Sequence, residues 1–269
     1  MDALAYRLSA PAGTQGDTAP TLVFLHGACW AGISWHRQLA EFGRSWRCVA
    51  VDLPGHGGSH AIAWRSMDEC ADRVAGLVRG IAPGPVHLVG FSMGGLVGLR
   101  LLARHSDLVS TALLTGVVTT ASGPLTRVLD WVSAPLVASR VVHRMISGAM
   151  RLDAAALAEH LRSTPPVRIA DYRRLCSAIN AGTATDGLAT LRTPVLVTAG
   201  RCESADARRT AARLASLMPG AVAGIAPGAG HSWHVTRATL FNETVAAWLD
   251  RPGRVPPTLR PLGPGGGHH

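Results

Sequence analysis

VHLVGFSMGGLVGLRLLARH (residues 86–105) is the stretch whose reading decides the fold. Its first six residues are a short, mostly apolar run, as expected of a parallel strand covered on both faces. From Met93 onward the apolar residues fall at helical spacing. Between the two lies Gly90-Phe91-Ser92-Met93-Gly94-Gly95, a strand-to-helix junction with a serine at its centre. A turn this tight brings neighbouring backbone close and strains the serine, so small residues must flank it. Ser92 would then sit at the amino end of a helix, where unpaired N–H groups and the helix dipole favour developing negative charge. Ser92 is therefore the expected nucleophile, with the Met93 amide as an oxyanion donor.

Outward from this junction, apolar runs at residues 21–26, 47–52, 110–116, 195–200 and 221–226 read as further strands. Helical patterns at 34–42, 66–79, 205–218 and 235–249 separate them, with Ser66 and Glu69 spaced as a capping box. Residues 3–9 suggest an edge strand. Strands alternating with helices imply right-handed crossovers and an α/β fold with a mostly parallel central sheet flanked by helices. The alternation breaks between 119 and 184, where only helical patterns occur (125–137, 153–161, 168–181). A helical cap inserted over the carboxyl edge of the sheet is the expectation. The core thus comprises residues 1–118 and 185–250, the cap 119–184. The Pro/Gly-rich end, 251–269, reads as a flexible tail closing in GGGHH.

Three further features fall where a nucleophilic serine needs them. His26-Gly27-Ala28-Cys29 follows the first long strand and would offer the Ala28 N–H as second oxyanion donor. Pro227-Gly228-Ala229-Gly230-His231 follows the last, and His231 completes the chain order Ser, acid, His. The acid belongs just past residues 195–200, where Glu203 has the usual spacing and Asp206 is the alternative. Residues 115–120 contain no carboxylate.

LHGACWAG, VAVDLPGHGGS, VGFSMGG, PVLVTAGRCE and PGAGH together resemble the α/β-hydrolase superfamily over most of the chain, residues 25–231. HGAC and Trp35 resemble the smaller esterases, lactonases and cofactor-free haloperoxidases. Glutamate in the acid position is similar to some acyl-homoserine lactone hydrolases. Serine at the elbow sets the chain apart from the branches that use an aspartate nucleophile. The resemblance implies hydrolysis of an ester or lactone of a small apolar substrate through an acyl-enzyme, with no metal or organic cofactor. The same triad could serve carbon–carbon bond hydrolysis, thioester cleavage or perhydrolysis, and the fold could also serve a non-catalytic binder. His56 reads as structural.

Cys29, Trp30 and Phe91 flank the expected catalytic turns as candidate pocket residues, and Trp131, Leu136, Met145 and Met150 in the cap read equally as pocket or packing. Arg127, Arg140, Arg144 and Arg151 read as solvated cap surface. The formal net charge is +9, yet all 26 basic residues are arginine and scattered, so a nucleic-acid partner is not expected. Five cysteines without a CxxC pair indicate neither a disulfide framework nor a zinc site. The amino end lacks a signal-peptide pattern and no run spans a bilayer. A cytoplasmic monomer or homodimer acting on a small molecule, with no membrane partner, is the resulting expectation.

Overall fold

The structure, a computed structural model, describes residues 3–12 and 19–263. Among them eight strands form one sheet: β1 (Tyr6–Ser9), β2 (Thr21–Leu25), β3 (Arg47–Val51), β4 (Val86–Phe91), β5 (Val109–Thr115), β6 (Val195–Gly200), β7 (Ala221–Ala226) and β8 (Arg260–Pro261). Their order is β1-β3-β2-β4-β5-β6-β7-β8. Strands β2 to β7 run parallel, and β1 and β8 pair antiparallel at the two edges. Because β2 pairs with β3 on one side and β4 on the other, the chain reverses its travel across the sheet there. Open α/β sheets bind ligands beyond the carboxyl ends of their strands at such a reversal. The turns after β2 and β4 flank it.

The helices are α1 (His36–Phe42), α2 (Met67–Ile81), α3 (Met93–Arg104), α4 (Pro124–Val137), α5 (Arg140–Ala149), α6 (Ala154–Ser163), α7 (Ile169–Asn180), α8 (Ala205–Leu217), α9 (Trp233–Thr236) and α10 (Ala238–Asp250). Side-chain alternation splits each parallel strand between two cores. Val23, Leu25, Val49, Leu88 and Val197 join the core that holds Val74 of α2, Val97 of α3 and Leu214 of α8. Leu22, Phe24, Ala50, Val89 and Leu196 join the one that holds Leu39 of α1 and Phe241 and Trp248 of α10. Both faces are buried, which is why these strands read as unbroken apolar runs rather than alternating ones. Ser66 caps α2, its Oγ accepting the Glu69 N–H at 3.1 Å.

The whole connection between β5 and β6 that carries regular structure is helical, α4 to α7. The sequence pattern misses α5. Its paired Val141 and Val142 and its Gly148 have low helix propensity, and the helix is set instead by Ser139, whose Oγ accepts the Val142 N–H. The expectation of a flexible tail from residue 251 needs correction. Leu259 is buried, Thr258 shares a 2.7 Å hydrogen bond with Thr244 of α10, and β8 pairs with β7. The terminal GGGHH lies outside the described residues. No helix among the described residues is long and apolar enough to cross a membrane.

Candidate active site

Ser92 lies between β4 and α3 with φ 52° and ψ −117°, a backbone region that a non-glycine residue enters only under constraint. The flanking glycines make the turn possible. A Cβ on Gly90 would lie 2.7 Å from the Gly94 carbonyl oxygen, and one on Gly94 would collide with the carbonyl of Leu25. The Ser92 N–H donates to Thr115 O at 2.9 Å, so the end of β5 holds the turn. The same Thr115 accepts the Trp233 indole N–H on its Oγ1 at 2.8 Å. One residue thereby ties the serine turn to the helix that follows His231.

His231 Nδ1 lies 2.6 Å from Glu203 Oε1. The second carboxylate oxygen accepts the Gly200 N–H at 2.6 Å, and the Glu203 N–H donates to Gly200 O at 3.0 Å. This double tether to the last residue of β6 curls Glu203 inward, leaving its side chain 3% exposed while that of His231 is 53% exposed. The other carboxylate near this turn, Asp206, pairs at the surface with Arg209 at 2.6 Å. The structure therefore joins Glu203, not Asp206, to the histidine. The His231 ring stands 4.8 Å from that of Phe91, the residue before Ser92. Gly116 backs the pair at φ +66°, and a Cβ there would fall 2.9 Å from the imidazole and 3.2 Å from Glu203 Oε1.

The turn after β2 is held by two buried histidines. His56 donates from Nδ1 to Pro54 O at 2.9 Å and accepts the Cys29 N–H on Nε2 at 3.0 Å. His26 donates from Nδ1 to Gly27 O at 2.8 Å and accepts the Leu53 N–H on Nε2 at 3.0 Å. Each ring must be neutral with its proton on Nδ1, because protonated Nε2 would face an amide N–H. Burial lowers both to about 4. Asp52 adds a clamp, accepting the N–H groups of Gly32 at 2.6 Å and Gly58 at 2.9 Å. Cys29 is thereby held at φ 61°. Burial pushes its thiol up to about 12, so it stays a thiol at neutral pH.

Around the candidate pocket, Trp30 meets Phe91 edge-on at 5.7 Å. A small cavity lined by Cys29, Trp30, His56, His143 and His160 lies between the β2 turn and helices α5 and α6. Met150 is buried against Ala31 and Ile33. Trp131, Leu136 and Met145 are exposed instead of lining a pocket. His56, Thr115 and Gly116 support the site by contacts that no sequence motif announces, apart from the DLPGHGGS run that carries His56.

A sequence profile described as "Alpha/beta hydrolase family" matches residues 22–262. Esterase Rv0045c of Mycobacterium tuberculosis is 38% identical over 111 residues, covering 39% of this chain and 36% of that protein. The match thus spans about a third of that curated relative's length. Among solved structures, the enol-lactonase from Burkholderia xenovorans LB400 superposes with TM-score 0.74 at 25% identity, covering 92% of this chain and 96% of that one. An esterase from Exiguobacterium antarcticum shares the fold with TM-score 0.75 at 16% identity, over 92% of this chain and 96% of its own. The profile match over nearly the whole chain, joined to the sheet order and the strained serine turn, makes this protein a member of the alpha/beta hydrolase family.

Proposed function

We propose that the protein is a serine hydrolase that cleaves an ester or lactone of a small, largely apolar substrate through an acyl-enzyme. The observation that carries this reading is the 2.6 Å contact from the buried Glu203 carboxylate to His231 Nδ1, with the His231 ring 4.8 Å from that of Phe91, the residue before a serine held on a strained strand-to-helix turn. Glu203 fixes the imidazole with its proton on Nδ1 and leaves Nε2 to act as base. In the proposed reaction His231 takes the Ser92 proton as Oγ attacks the carbonyl carbon. The tetrahedral oxyanion is received by the Met93 N–H, at the first position of α3 where helical amides lack an internal partner. The Ala28 N–H is the second donor, the Cys29 and Trp30 amides being engaged by His56 and Gly27. His231 then protonates the leaving alkoxide and activates the water that clears the acyl group. Trp30 and Phe91 supply an apolar wall, and no step calls on a cofactor. The esterase and enol-lactonase among the similar proteins support this substrate class.

The test is labelling with a fluorophosphonate probe, read by intact mass on wild type and on Ser92→Ala. One adduct on wild type and none on the variant is expected. A panel of esters, lactones and thioesters then ranks the substrate classes by kcat/KM. An adduct that persists in Ser92→Ala, or esterase activity retained by that variant, overturns the assignment.

A further inference from the structure

Helix α4 turns its apolar face outward. Leu125, Val128, Leu129, Val132 and Leu136 recur at helical spacing along one stripe, each 58–71% exposed. Trp131, at 60%, and Val141 and Met145 of α5, at 68% and 69%, extend the patch. The opposite side of α4 is the one that packs. Ala134 is buried, and Asp130 and Arg127 hydrogen-bond Asn180 of α7. Eight large apolar side chains left in water on neighbouring helices exceed what a monomer ordinarily exposes.

The charges around the patch identify what would cover it. Arg140, Arg144 and Arg151 lie on or just after α5. Arg173 stacks on Trp131 at 4.1 Å. The four carboxylates of residues 119–184 are already engaged: Asp130 by Asn180, Asp153 as the cap of α6, Glu159 by Arg162, and Asp171 by Arg168 and Arg174. A second copy pairing this face with its own counterpart would bring arginine against arginine, with each of these carboxylates already bonded. An anionic headgroup layer complements both the apolar stripe and its cationic border.

We propose that α4 and α5 form a docking face for the surface of an anionic lipid bilayer, the apolar stripe entering the headgroup boundary and the arginines meeting phosphates. The proposal runs against the sequence-based expectation of no membrane partner. It does not depend on the hydrolytic reading, because binding alone is measured.

The experiment is co-sedimentation of the full chain with large unilamellar vesicles of phosphatidylcholine, alone or mixed equally with phosphatidylglycerol. At least about tenfold stronger partition onto the mixed vesicles, weakened by high salt, is expected. Leu129→Gln/Val132→Gln puts a good helix former at both solvent-facing positions and should lower partition at least about tenfold. Arg140→Gln/Arg144→Gln should erase most of the preference for the anionic lipid. Circular dichroism verifies that both variants fold. No partition onto mixed vesicles, or partition untouched by the α4 substitutions, overturns the proposal. A dimer in sedimentation equilibrium that Leu129→Gln/Val132→Gln dissociates also overturns it, by assigning the face to a second copy.

Discussion

In the proposed reaction the contact between His231 and Glu203 sets the tautomer of the imidazole and opposes the cost of charging it. Glu203→Gln keeps the size of the side chain but removes the charge and can present an NH2 to Nδ1. It should lower kcat by about a hundredfold to ten-thousandfold with little change in KM. Asp206→Asn only dissolves a surface ion pair with Arg209 and should stay within about twofold of wild type. Steady-state kinetics on the best panel substrate checks both, and the reverse ranking would move the acid to Asp206. Linear spacing left these two carboxylates open because it does not say which one the turn after β6 folds inward. The tether of Glu203 to both the N–H and the carbonyl of Gly200 decides it. The turns that carry Ser92 and His231 were legible because they need glycines that spell a pattern. Thr115 was not, since its service to Trp233 reaches across 118 residues.

At the scale of elements, the buried strands were readable from unbroken apolar runs, and the helices of the core from their periodicity. Helix α5 and strand β8 escaped. Helix α5 lacks propensity, and β8 lies in a segment whose prolines and glycines read as disordered. The second omission has an energetic consequence. Leu259 sits over Gly224 of β7, where a Cβ would meet the leucine side chain at 2.9 Å. The absent glycine side chain makes room for the leucine that closes this end of the core. Leu259→Ala should therefore cost about 2–4 kcal/mol in urea unfolding, against nearly nothing for a residue in a flexible tail. An unchanged midpoint would show that the segment past residue 251 contributes no stability. Periodicity also predicts the amphipathic stripe of α4 while staying silent on which face meets water. That silence is why its apolar residues read equally as pocket or packing.

For the whole molecule, the distribution of buried imidazoles predicts how stability responds to acid. Burial lowers His26 and His56 to about 4 and His234 to about 3, from an ordinary value of 6.5. His234 is enclosed by Trp35 and Phe91, each with its ring 4.4 Å away. Above pH 6.5 neither the folded nor the unfolded chain protonates these rings, and they leave stability flat. Between about 6.5 and 4 the unfolded chain takes up protons that the folded one refuses, so stability falls as pH falls. Each ring contributes up to about 3 kcal/mol of that loss. His36, His87, His143 and His160 are lowered by burial too and add to it with the same sign. Asp72, held down by its hydrogen bond from Arg104, loses its contribution only below the ordinary carboxylate range near 3.8, outside this window. Calorimetric Tm should thus drop by roughly 10 °C or more between pH 7 and about pH 4.5. His56→Gln retains an acceptor for the Cys29 N–H but cannot titrate, so its Tm should fall less steeply over the same range. A Tm independent of pH across the window, or a slope unchanged by His56→Gln, would mean that these rings are hydrated in the folded protein, and the histidine clamp behind the β2 turn would lose its basis.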